Sequence, residues 1–200
     1  MLVIGLTGPS GSGKTRVAEI FAAHGLPIIN ADEVYHGLLL PPSPCLDELV
    51  SRFGNEILNS NGTLNRPMLG KIVFSDPASL SALNAISHRH VMKRIRMELE
   101  LLRKKGTPAA VLDAPQLFEA GADRDCGVVV SVIAEKNLRL ERIMERDGVD
   151  IHAALKRMAA QKSEEFFKSH SDYVIENNGS EDRLYPHVRR ILQETGVLTP

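Results

Sequence analysis

Short apolar runs rich in β-branched residues punctuate the 200-residue chain. Residues 2–7 are almost wholly apolar and stop at Gly8-Pro9, which reads as a buried strand of a parallel sheet. Residues 26–29, 109–112, 127–133 and 173–176 repeat the pattern and predict further strands. After the first run, Val17, Ala18, Ile20 and Phe21 recur at helical spacing over residues 15–24, and Gly25 closes the helix. Helices are also predicted over 137–146, 151–167 and 181–195. From residue 31 to about 106 the pattern is mainly helical, broken at Pro41-Pro42-Ser43-Pro44 and at Asn59-Ser60-Asn61-Gly62. Asn65 and Asp76 each stand just before a proline-marked helix start, the second helix reaching about residue 105. Strands alternating with helices predict a parallel sheet covered on both faces, and the middle stretch reads as an inserted helical subdomain.

Composition narrows the classes. Lys and Arg number 24 against 25 Asp and Glu, a net charge of −1, so the basic excess of a duplex nucleic-acid binder is missing and no such partner is expected. Cys45 and Cys126 stand outside any Cys-x-x-Cys arrangement and read as reduced thiols of a cytoplasmic protein. The apolar start is too short for a signal peptide, and no run approaches the ~20 residues of a membrane helix, so no membrane partner is expected.

The sharpest chemical signal lies between the first strand and the first helix. Gly8-Pro9-Ser10-Gly11-Ser12-Gly13-Lys14-Thr15 matches the phosphate-loop pattern Gly-x-x-x-x-Gly-Lys-[Ser/Thr]. Backbone N–H groups at a helix start can receive a triphosphate, and Gly11 and Gly13 are expected to let the main chain approach it without a Cβ. Gly11, Ser12, Gly13, Lys14, Thr15 and Arg16 are thus candidates for holding ATP, with Lys14 on the β- and γ-phosphates and the Thr15 hydroxyl on Mg2+. Asp113, at the end of the third strand, fits a second, water-mediated magnesium position; a carboxylate finishing a strand is the other reading.

The loop alone does not choose a function. A GTPase switch needs Asn-Lys-x-Asp; Glu135-Lys136-Asn137 lacks the aspartate. A motor ATPase would be longer. A small-molecule kinase remains, and its transition state calls for cations that close over the moving phosphoryl group. Arg139, Arg142 and Arg146 share one helical face, interleaved with Glu141 and Glu145, so a solvated ion-pair face competes with a cationic lid. With a phosphate loop upstream, Arg142 and Arg146 are favoured as lid cations and Arg157 as an adenine or phosphate contact. Asp32, after the second strand, could take a proton from an acceptor hydroxyl, cap the following helix, or both. The residues leave open a nucleoside or nucleotide kinase and an ATP-binding module without catalysis.

The chain resembles the dephospho-CoA kinase family over nearly its whole length. The resemblance runs through the loop Thr7–Thr15, Asn30-Ala31-Asp32, Phe53-Gly54, Asn61-Gly62-Thr63-Leu64-Asn65-Arg66, Ile72-Val73-Phe74, Leu83-Asn84 with His88, Leu117-Phe118-Glu119, Arg142 and Arg146, Arg157 with Ala160-Gln161, and the segment from Asp172 to Asn177-Asn178-Gly179. It departs at Asn30, where the family has Asp, at His36 for Arg, at Arg89 for Pro and at Gln116 for an apolar residue. The resemblance implies a P-loop NTPase fold, three-layer α/β/α with a five-stranded parallel sheet. It implies a core over residues 1–54 and 107–200, a helical CoA-binding insertion over about 55–106 and a lid over about 139–165. It implies an ATP-dependent phosphotransferase that moves the γ-phosphoryl group to the ribose 3′-hydroxyl of dephospho-CoA. Asp32 is then the base, Lys14 and Arg142 catalytic cations, and Asp32, His36, Asn65, Arg66, His88 and Glu119 substrate contacts. The protein is expected to act as a monomer or weak homo-oligomer.

Overall fold

A computed structural model describes residues 1–199. The apolar runs become β1 (Leu2–Thr7), β2 (Ile28–Asn30), β3 (Ala109–Asp113), β4 (Val128–Ile133) and β5 (Tyr173–Glu176). The helices are α1 (Lys14–Ala23), α2 (Ala31–Leu38), α3 (Pro44–Phe53), α4 (Arg66–Ser75), α5 (Pro77–Lys104), α6 (Lys136–Asp147), α7 (Ile151–Ala159), α8 (Glu164–Ser169) and α9 (Leu184–Glu194). The strands join in the order β2-β3-β1-β4-β5. The β1–β3, β1–β4 and β4–β5 ladders are parallel, so each step between them needs a crossover, which the helices supply.

β1 lies in the middle of the sheet and is buried from Val3 to Thr7. Its Ile4 and Leu6 pack in one cluster with Ile20 and Phe21 of α1 and with Val188 and Ile191 of α9. Phe21 is fully buried there, and truncating such a side chain to alanine costs about 3–5 kcal/mol. On the opposite face Gly5 leaves room for Leu117 and Cys126; a Cβ at Gly5 would stand 2.7 Å from Cys126 Sγ. Helices on one face and these segments on the other give the three-layer α/β/α architecture of P-loop NTPases.

The chain divides into two compact units, one of Met1–Ile29 with the chain from Leu102 on, the other Asn30–Leu101. The helical unit has its own core, in which Leu39, Leu49 and Phe53 join Ile57, Leu69 and Val73. It therefore starts earlier than residue 55, because residues from α2 and α3 feed the same cluster as α4. Asn65 Oδ1 accepts from Met68 N at 3.1 Å and Asp76 accepts from Ala78 N and Ser79 N, so both polar residues cap the helices they precede. Arg89, where a proline was the family pattern, pairs from α5 with Glu48 of α3, which also meets His90 Nε2 at 2.8 Å.

One predicted helix is two. Residues 151–167 divide into α7 and α8, because Ser163 Oγ accepts from Phe166 N at 3.2 Å and starts a new helix. The break at Gln161-Lys162 leaves the Gln161 side chain able to reach the phosphate loop. Among the described residues no helix is long and apolar enough to cross a membrane.

Candidate active site

The loop between β1 and α1 turns through left-handed backbone at Gly11 (φ +79°) and Gly13 (φ +88°), conformations that glycine adopts without strain. Gly13 is the N-cap residue of α1, and no side chain caps that helix. Its first-turn N–H groups thus lack the side-chain acceptor that most helices provide, the arrangement of an anion cradle at a helix start.

The back of the loop is held by residues far away in sequence. Arg139 Nε donates to Ser10 O at 3.0 Å, Arg142 Nη1 to Gly11 O at 3.2 Å and Asn177 Nδ2 to Ser12 O at 2.8 Å. Arg142 Nη2 also donates to the Asn177 carbonyl at 3.2 Å. Gln161 Oε1 accepts from Ser10 N at 3.0 Å and from Arg139 Nη2 at 3.2 Å. Arg139 is buried, and burial pulls its guanidinium below the ordinary arginine range. This packing changes the reason for the glycines. A Cβ on Gly11 would lie 2.6 Å from Arg139 O, and one on Gly13 would strike the Asn177 side-chain nitrogen. They clear space for α6 and Asn177 behind the loop, not only for phosphate in front.

Lys14 Nζ forms an ion pair with Asp113 Oδ1 at the end of β3. Thr15 is exposed in the first turn of α1. The Thr15 hydroxyl, next in sequence to Lys14, and the Asp113 carboxylate paired with that lysine are hard oxygen donors, the ligand type that suits Mg2+, which keeps several waters and takes one or two protein ligands. Arg146 Nη2 reaches Ser10 Oγ at 3.1 Å, while its Nε pairs with Asp147 Oδ1 at 2.8 Å. Asp147 also pairs with Arg157, and the hydrogen bond from Arg146 first, then Arg157, holds its carboxyl below the usual range. Arg16 is engaged by Glu19 at 2.6 Å and by Glu181 at 2.9 Å.

The structure therefore gathers Gly11, Ser12, Gly13, Lys14, Asp113, Arg142 and Arg146 around one loop. It puts Arg157 on Asp147 instead. Glu119 is exposed next to Phe118, whose ring meets Phe166 edge-on at 5.2 Å. Asp32, His36, Asn65, Arg66 and His88 lie in the helical unit. Asp32 and His36 are exposed one helical turn apart on α2. Asp32 does not cap α2: Asn30 Oδ1 accepts from Asp32 N at 2.9 Å and Glu33 N at 3.1 Å. Sequence reasoning passed over Arg139 for Arg142 and Arg146. It quoted Asn177 only within the family block Asn177-Asn178-Gly179 and gave its side chain no role; its signal was an amide side chain directly after a strand.

Beside the loop, Asn177, Asn178, Ser180, Arg183 and His187 line a cavity of about 470 Å³. Such a volume falls within the ordinary range of small-molecule sites.

A parallel sheet with this loop at the end of its central strand and arginines packed on the loop defines a P-loop kinase. The comparisons with known proteins narrow the class. The chain belongs to the dephospho-CoA kinase family: the family's model matches residues 2–182. It is 42% identical over 180 residues to a protein of Syntrophotalea carbinolica named dephospho-CoA kinase, covering 90% of this chain and 85% of that one. Among solved structures, one from Thermus thermophilus superposes with a TM-score of 0.82 at 32% identity, covering 96% of this chain and 97% of that one. A dephospho-CoA kinase from Campylobacter jejuni gives a TM-score of 0.72 at 27% identity, with 98% of each chain covered.

Proposed function

We propose that the chain transfers the γ-phosphoryl group of ATP to the ribose 3′-hydroxyl of dephospho-CoA, giving CoA and ADP, the last step of coenzyme A synthesis. The observation that carries this is the family match over residues 2–182, which extends far beyond the loop that many kinases share.

In this reading the N–H groups at the start of α1 receive the β-phosphate, and Lys14 spreads its charge over the β- and γ-phosphates. Thr15, and Asp113 through water, would hold Mg2+, which would supply positive charge to the phosphates. Arg146, on Ser10 Oγ at the rim of the loop, adds cationic field where charge develops on the moving group. In this reading the adenine and its sugar enter the cavity beside Asn177. Asp32 takes the proton from the acceptor hydroxyl as the new O–P bond forms and the β–γ bridge breaks toward ADP. His36, Asn65, Arg66, His88 and Glu119 contact the acceptor. The protein works in the cytoplasm on this small molecule, as a monomer or weak homo-oligomer.

Phosphorus NMR of the product tests the assignment. A new phosphomonoester on the ribose 3′-oxygen is expected; a phosphate on any other oxygen, or ADP formed with orthophosphate alone, would contradict it.

A further inference from the structure

Three successive carbonyls of the phosphate loop, those of Ser10, Gly11 and Ser12, are each pulled to the back of the loop by a different donor: Arg139, Arg142 and Asn177. A peptide unit is planar and trans, so its N–H points opposite to its C=O. Fixing the Ser10 carbonyl thereby aims the Gly11 N–H at the other side, and fixing the Ser12 carbonyl does the same for Gly13 N–H. The middle unit differs, since Ser12 N donates to Pro9 O at 3.1 Å.

Asn177 is the member of this set best placed to act through geometry alone. It is neutral, so it adds no charge to the phosphate field. It is buried, with its own N–H bonded to Ile133 O at 2.8 Å at the end of β4. Its carbonyl accepts from Arg142, so one residue joins the sheet, the lid helix α6 and the loop. The contact also depends on Gly13, where any Cβ would strike the amide.

We infer that Asn177 is a positioning residue for phosphoryl transfer, which turns the Gly13 N–H into the phosphate cradle by holding the Ser12 carbonyl from behind. The inference rests on the proposed reading that the loop binds a triphosphate. A donor placed in advance needs no reorganisation when the phosphate arrives, so loss of Asn177 should weaken anion binding without touching the anion.

Inorganic tripolyphosphate is the probe, because it has no base to fill the neighbouring cavity. Calorimetry on the wild type comes first: no binding there would overturn the phosphate-loop reading itself. With binding in hand, Asn177→Leu removes the donor at similar volume and Asn177→Gln keeps one. Asn177→Leu should bind tripolyphosphate about tenfold more weakly, the weight of one hydrogen bond, with Asn177→Gln recovering part of the loss. A structural role alone would lower the unfolding midpoint and leave the affinity of the folded protein unchanged; that result overturns the inference. If the variants do not fold, the labelled wild type decides. Added tripolyphosphate should move the Gly11 and Gly13 amide resonances downfield while the Asn177 side-chain amide stays protected from exchange. An Asn177 amide that exposes on binding, or glycine amides that do not move, overturns it equally.

Discussion

Lys14 and Asp113, separated by 98 intervening residues, form an ion pair in which the carboxylate side chain is only 4% exposed. The pair ties the end of β3 to the first turn of α1. It also holds the lysine beside the mouth of the cradle. Lys14→Ala should abolish phosphoryl transfer and lower stability, because it takes the cation from a carboxylate that stays buried. Adding Asp113→Asn to that variant should restore part of the stability and none of the turnover. Denaturant unfolding of the single and double variants checks the first statement, and ADP release the second.

Asp32→Asn keeps the shape of the side chain and removes its basicity. It should lower kcat by ~10²-fold or more, the scale of a lost general base, while ATP affinity barely changes. Steady-state kinetics beside nucleotide titration separates the two effects, and an unchanged kcat would take Asp32 out of that role.

Asn30 departs from the family pattern and carries the start of α2. Asn30→Ala should cost about 1 kcal/mol of stability, and Asn30→Asp almost none, since both Asn and Asp accept well at an N-cap. Urea unfolding of the two variants provides the comparison.

The strands and the loop were legible in the sequence, and the support behind the loop was not. Parallel strands declare themselves as apolar runs, and the residues of β1, which is buried, and of β5, which is only partly so, could be read without error. The phosphate loop has a spacing that mechanics demands. Asn177 and Gln161 act across separations of 165 and 151 residues, through single hydrogen bonds that leave no periodic trace. The α7–α8 break escaped for another reason: its signal is one serine whose hydroxyl accepts from a backbone N–H three residues on. Arg139 looks like Arg142 and Arg146 on a helical wheel. Only its burial against Ser10 sets it apart.

Cys126 gives the fold an alkaline weakness. Burial first, then Asp125 and Asp123, pushes its thiol up to about 12. In the unfolded chain the thiol ionises near ~8.5. A raised folded value means the contribution is fully present below the unfolded value and is lost as pH climbs from there toward the folded one. Between about pH 8.5 and about pH 10 the wild type should lose roughly 1.5 kcal/mol more stability than Cys126→Ala. Unfolding free energies at the two pH values measure it; equal losses would show that the half-buried thiol keeps its ordinary acidity in the fold.

The acceptor decides the central claim. ADP release should be measured with dephospho-CoA, and separately with adenosine, uridine, shikimate and AMP, against the ATPase background. Turnover of dephospho-CoA well above that background and above every other acceptor is expected. Turnover of dephospho-CoA no faster than ATP hydrolysis alone, or a clear preference for another of these alcohols, would contradict it.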